Sequence, residues 1–107
     1  VALAHTEAAI EAGGDRPKNY DLLMRTLAGF VSHPNLGAVL VIGYSNELIT
    51  PEVLRGHVSD VGHLLPKCHQ FLELQGDEYP KDAATARGIV LPWLPEVNSC
   101  ERSEQPL

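Results

Sequence analysis

Pro34, set between two apolar stretches, does most to limit what this chain can become. From Val31 to Glu47 the sequence reads V-S-H-P-N-L-G-A-V-L-V-I-G-Y-S-N-E. A proline pushes the residue before it out of the helical region, so a helix arriving at His33 must stop and turn at His33-Pro34-Asn35. Ala38 to Ile42 is an unbroken apolar run rich in β-branched side chains, closed by Gly43. A strand covered on both faces reads this way, which favours a parallel sheet between helices. The polar loop Tyr44-Ser45-Asn46-Glu47 then lies past the strand's carboxyl end, where open α/β sheets hold ligands.

The rest of the chain extends that pattern. Val1 to Ala4 predicts a short buried strand opening into the loop His5-Thr6-Glu7. From Asn19, the apolar residues Leu22, Leu23, Leu27, Phe30 and Val31 recur at helical spacing, with Asn19 as N-cap and Asp21 near the positive end of the dipole. Thr50-Pro51-Glu52 is a helix start, and the helix should end before Gly62. Gln70 to Gln75 reads as a strand, followed by the loop Gly76-Asp77-Glu78-Tyr79-Pro80. Lys81 to Leu91 reads as a helix carrying Ala83, Ala84 and Ile89, and Pro92 and Pro95 force a break before a last helical piece at Trp93 to Glu101. The order β-α-β-α-β-α predicts an α/β three-layer sandwich, a short parallel, Rossmann-like sheet flanked by helices. The three strand-end loops would share one edge, and each carries an acid.

At 107 residues the chain is read as a single α/β domain, 1–107. Eight Lys and Arg against fourteen Asp and Glu leave no basic stripe for phosphates, which argues against a nucleic-acid partner. The apolar runs fall short of the ~18 residues of a membrane span. Cys68 and Cys100 are too few for a disulfide framework and read as free thiols of a reducing, cytoplasmic setting. Val-Ala-Leu-Ala begins inside a strand-like run and the chain stops at Gln105-Pro106-Leu107 after a helical segment, so a piece of a longer multidomain protein is expected. A sheet cut in this way would leave an edge open to another copy, making a homo-oligomer, or to the missing segments.

The residues Ala2-Leu3-Ala4-His5-Thr6-Glu7, the block from Arg25-Thr26 through His33-Pro34-Asn35 to Gly43, and Asn46-Glu47 resemble the middle domain of the altronate and galactarate dehydratases. Asn98 and Arg102-Ser103-Glu104 resemble the helix after which those enzymes continue into a Cys-Gly-Gly-Ser-Asp segment. The resemblance implies a hydro-lyase that removes water next to the carboxylate of a sugar acid, with a divalent metal, often iron, and with an N-terminal domain and a C-terminal region that this chain lacks. It implies that the fragment alone is inactive. Two family cysteines are replaced, by Ala9 in the first loop and Asn46 in the second, which removes soft ligands at those positions and leaves oxygen and nitrogen donors. A related sulfolactate sulfo-lyase subunit is also similar, so sulfite elimination stands as an alternative, as does a non-catalytic scaffold or ligand-binding domain of a diverged member.

Eliminating water from a sugar acid needs a base for the proton beside the carboxylate and an acid or metal for the departing hydroxyl. His5, Glu7 and Glu47 are the catalytic candidates, with His5 and Glu47 also the candidate metal ligands. Tyr44, Ser45 and Asn46 are candidate contacts to a sugar hydroxyl or carboxylate. Each has a bland alternative: His5 and Glu7 as polar caps of a strand end, Ser45 and Asn46 as turn formers. His33-Pro34-Asn35 is explained by turn chemistry, and Asp77 and Glu78 by a solvated loop. His63, Cys68 and His69 match no common zinc spacing. Trp93 should pack against the sheet or a missing domain.

Overall fold

The computed structural model describes residues 1–4, 15–76 and 78–106. The elements run α1 (Tyr20–Val31), β1 (Ala38–Tyr44), α2 (Pro51–Asp60), β2 (Cys68–Leu74), α3 (Tyr79–Val90), a 3-10 turn (Leu91–Trp93) and α4 (Leu94–Asn98). β1 and β2 pair in parallel, in register from Ala38 opposite Cys68 to Tyr44 opposite Leu74. A parallel pair cannot be closed by a tight turn, and α2 supplies the crossover between the strands.

Local chemistry explains the boundaries. Asn19 is the N-cap residue of α1, but its side chain makes no capping bond. The first turn is instead tied by Tyr20 N–H donating to Pro17 O at 3.0 Å, and the Arg16 guanidinium lies 4.4 Å from the Tyr20 ring centre. α2 starts as its sequence demands, with Thr50 Oγ1 accepting from Val53 N–H at 3.2 Å and Pro51 at the first position. It ends where Gly62 takes φ +73° and His63 N–H reaches back to Val58 O at 3.1 Å.

The core lies on one face of the sheet. Met24, Ala28 and Val31 of α1, Leu54 and Val58 of α2, and Ile49 are buried together, with Val39, Val41 and Phe71 of the strands packed against them. Each such aliphatic side chain contributes roughly 1.5–3 kcal/mol by leaving water. Side chains alternate along a strand, so Cys68 faces away from Phe71. On that opposite face the Cys68 thiol meets Glu96 of α4. Helices therefore flank both faces of a short parallel sheet, in a small α/β fold that is Rossmann-like in its strand-helix-strand unit.

Three expectations change. Val1 to Ala4 is not a buried strand: the segment has no ladder and is exposed. Four residues offer too few ladder bonds to offset about 1–2 kcal/mol of backbone ordering per residue. Val1, Leu3 and Ala4 nonetheless line the same groove as Val39, Leu40, Val41 and Ile42, so this segment lies beside β1 without pairing with it. Second, β1 is not buried on both faces; Ile42 is 49% exposed and Gly43 is its one fully buried residue. The second face is covered at the strand starts, where α4 sits, and not at Ile42. Third, α3 begins at Tyr79, inside the stretch read as a loop, with Pro80 in its first turn, and it has no buried residue.

The glycines give a test of opposite signs. A Cβ on Gly43 would lie 2.9 Å from Pro51 Cδ and 3.1 Å from Glu47 Oε2, whereas nothing approaches within 4 Å at Gly56 or Gly88. Gly43→Ala should destabilise by about 1–3 kcal/mol, and Gly56→Ala and Gly88→Ala should each stabilise by about 0.5–1 kcal/mol. Urea unfolding of the three variants checks both signs, and a neutral Gly43→Ala would show that Pro51 can yield.

Candidate functional site

The carboxyl edge of β1 is built as a closed turn. Glu47 N–H donates to Tyr44 O at 3.3 Å, and Tyr44 N–H donates to Glu47 Oε2 at 3.1 Å. The carboxylate thus folds back onto the last residue of its own strand. It can do so because Gly43 carries no side chain: the space a Cβ would fill is taken by Glu47 Oε2 and the Pro51 ring. Glu47 is half-buried, and Tyr44, Ser45 and Asn46 are exposed.

Tyr44 ties this edge to the next strand. Gly76, with φ +76°, follows β2, and a Cβ there would lie 3.2 Å from Tyr44 Cε1. The aromatic ring therefore rests against the loop after Leu74, and two of the three strand-end loops read from the sequence do share an edge. His5 and Glu7 lie outside the described residues, as does Asp77. Glu47 lines one end of a groove of about 720 Å³ that runs along β1 to His33 and Leu36 and is also lined by Leu3 and Ala4.

Among the described residues no group of three His, Cys, Asp or Glu is placed to hold a metal ion. Glu47 is a single hard oxygen donor, and one of its oxygens is already bonded to Tyr44. His63, Cys68 and His69 do not converge: His63 Nδ1 lies 3.0 Å from Ser32 Oγ, His69 Nδ1 lies 2.7 Å from Pro66 O, and Cys68 Sγ lies 3.3 Å from Glu96 Oε2. No helix among the described residues is long and apolar enough to cross a membrane.

The amino edge of the sheet has different chemistry. His33 to Leu36 is a turn closed by Leu36 N–H on His33 O at 3.0 Å, and Asn35 N–H donates to His33 Nδ1 at 3.2 Å. Ser32 Oγ donates to Ala28 O at 2.6 Å, so its proton is spent there and His63 Nδ1–H is the donor to Ser32. A serine bonded in this way is not an activated nucleophile. Ser32, His33, Leu36 and His63 line a cleft of about 560 Å³ at the amino edge, and His33 and Leu36 also line the far end of the groove that Glu47 lines. The turn reading of His33-Pro34-Asn35 agrees with this geometry.

Sequence reasoning missed the partners that shape both edges. Gly43 and Gly76 leave room for Glu47 and Tyr44, and Gly37 does the same for α4, whose Val97 Cγ1 would lie 2.9 Å from a Cβ there. The one signal was a glycine next to each loop or turn. Glu96 was not singled out, yet it pairs with Lys67 and accepts from the Cys68 thiol. The Lys67 ammonium, then the Cys68 thiol, hold its carboxyl below the usual carboxylate range, while burial and the Glu96 carboxylate push the Cys68 thiol up.

Comparison with known proteins decides what this scaffold is. The family described as D-galactarate dehydratase/altronate hydrolase, second domain, matches residues 1–98. The chain belongs to this family. No curated protein and no solved structure matches it. For this member of the second-domain family, the structure puts Tyr44 to Glu47 on the carboxyl edge, and the His33 and His63 cleft at the opposite edge.

Two predictions follow from these contacts. Glu47→Ala should cost about 1 kcal/mol by leaving Tyr44 N–H without its acceptor, and Glu47→Gln, which keeps an acceptor oxygen, should cost less; thermal unfolding separates them. A depressed Glu96 pKa stabilises the fold above the unfolded carboxylate value, about 4.3, and that stability is lost as pH falls through the lower folded value. Acid titration of Trp93, the single tryptophan, should therefore show α4 loosening below the usual carboxylate range, and Lys67→Ala should move that transition to higher pH.

Proposed function

We propose that this chain is the middle domain of a longer sugar-acid dehydratase of the altronate or galactarate type, placing Glu47 and its neighbouring loop residues in a site completed by other domains. The observation that carries the reading is the family match over residues 1–98, joined to Glu47 standing at the carboxyl edge of β1. That edge is where α/β sheets of this kind present their chemistry.

In this reading Glu47, with His5 and Glu7, takes the proton from the carbon next to the substrate carboxylate and returns one to the departing hydroxyl. Tyr44, Ser45 and Asn46 are exposed on the same turn and supply hydrogen bonds to sugar hydroxyls or the carboxylate. The turn holds the Glu47 carboxylate in place through Tyr44 N–H, which orders the acid before substrate arrives. The described residues do not make a metal site on their own. A divalent metal such as iron would draw donors from His5, Glu47 and residues outside this chain, and when bound it would polarise the departing hydroxyl. The missing N- and C-terminal domains are the proposed partners, along with a second copy in a homo-oligomer. The two free thiols favour a reducing cytoplasmic setting.

A scaffold reading is favoured by one feature: the Glu47 carboxylate already serves its own turn. Activity of the full-length protein separates the two. The dehydratase reading predicts loss of water from altronate or galactarate, no turnover by residues 1–107 alone, and a fall in kcat/KM of about 10²–10⁴ in Glu47→Gln. A full-length protein inert towards both sugar acids, or a Glu47→Gln variant with unchanged kcat/KM, would contradict it. Sulfite release from sulfolactate in place of water would identify the sulfo-lyase chemistry instead.

A further inference from the structure

Both cysteines of the chain meet the same residue. Cys68 Sγ donates to Glu96 Oε2 at 3.3 Å, and Cys100 Sγ donates to the main-chain oxygen of Glu96 at 3.5 Å. Cys100 lies just past the end of α4, its N–H bonded to Val97 O at 3.2 Å, four residues from Glu96 and three from Val97, the two α4 residues that touch the strand starts. Cys68 is buried and Cys100 exposed. Residues 101–106 have neither helix nor strand, so the backbone after Cys100 is not held by a ladder or a helical turn.

We propose that Cys68 and Cys100 form a reversible dithiol clamp that locks α4 onto the start of β2. What the clamp would hold is the least anchored part of the fold. α3, the 3-10 turn and α4 contain no buried residue, and α4 is fastened to the strand starts through Glu96 and Val97. In the resting state burial, with the Glu96 carboxylate to which it donates, favours the protonated form of Cys68. The oxidant is a low-molecular-weight disulfide such as oxidised glutathione. The exposed Cys100, as thiolate, attacks it, forming a mixed disulfide and releasing one glutathione thiolate. Cys68 then loses its proton to solvent and attacks the Cys100 sulfur, expelling the second glutathione. Two protein thiols are oxidised and one small disulfide is reduced to two thiols. The bond would close a loop containing α3 and α4, which restricts the state in which α4 has left the sheet. It would also remove the Cys68 donor from Glu96, leaving Lys67 as that carboxylate's partner.

The test uses the full-length protein, treated with oxidised glutathione, alkylated with N-ethylmaleimide and digested with trypsin. The clamp predicts that the peptides Cys68–Lys81 and Gly88–Arg102 are joined and that both thiols are lost to alkylation. It predicts reversal by dithiothreitol, and faster joining in the folded protein than in urea. It also predicts that oxidation raises Tm by about 4 °C or more. Cys100 carrying glutathione while Cys68 remains open to alkylation would overturn it. So would Cys100-to-Cys100 links between chains, or joining no faster in the folded protein than in urea. In Cys68→Ser, which keeps a donor to Glu96, oxidised glutathione should leave Cys100 as a mixed disulfide and Tm unchanged; a Tm rise there would assign the effect to Cys100 alone and sink the clamp.

Discussion

The parallel register of β1 on β2 is the constraint on which the rest of this molecule depends. Two parallel strands do not stand alone in water, and their pairing requires the α2 crossover, whose buried Leu54 and Val58 join α1 in the core. Because the strands point the same way, both carboxyl ends emerge at one edge and both amino ends at the other. Tyr44 resting on the loop after β2 is a consequence of that register, and so is the seat of α4 over Gly37 and Cys68. An antiparallel pair would have mixed these ends and separated the residues that each edge brings together.

The two edges have been given different work. At the carboxyl edge a glycine before the turn lets an acidic side chain fold back on its own strand, leaving Tyr44, Ser45 and Asn46 outward. At the amino edge the polar groups are spent on holding structure: Ser32 on the end of α1, His33 on its turn, Glu96 on Lys67 and Cys68. This division is what favours the carboxyl edge as the place for chemistry, and it fits a domain whose family belongs to the sugar-acid dehydratases. It also explains why Glu47 is at once a candidate acid or base and a structural group. The same hydrogen bond that orients it fastens the turn.

How much of this could be read from the sequence depended on how local the cause was. The end of α1, the apolar run of β1 and the start of α2 were legible because they are set by neighbours such as Pro34 and Thr50 with Pro51, although β1 continues through Gly43 to Tyr44 instead of closing at the glycine. The parallel sheet followed from the order of elements. Residues 1–4 misled because apolar composition says nothing about whether four residues can sustain a ladder, and the burial of β1 was overstated because α4 reaches only the strand starts. The contacts of Glu96 with Lys67 and Cys68, and of Val97 with Gly37, join positions far apart in the chain, and no spacing rule announces them. Of the candidate site, the loop from Tyr44 to Glu47 was legible as a strand-end loop, while the turn that closes Glu47 onto Tyr44 was not, since it depends on the missing Cβ of Gly43. His5 and Glu7 lie outside the described residues.

Amide hydrogen exchange in the full-length protein, with and without galactarate or altronate, tests the central claim most directly. The account predicts that sugar acid slows exchange at the amides of Tyr44 to Glu47 and leaves those of His33 to Leu36 and His63 to Leu65 unchanged. Protection at the His33 and His63 cleft, with none at Tyr44 to Glu47, would contradict the assignment of the carboxyl edge.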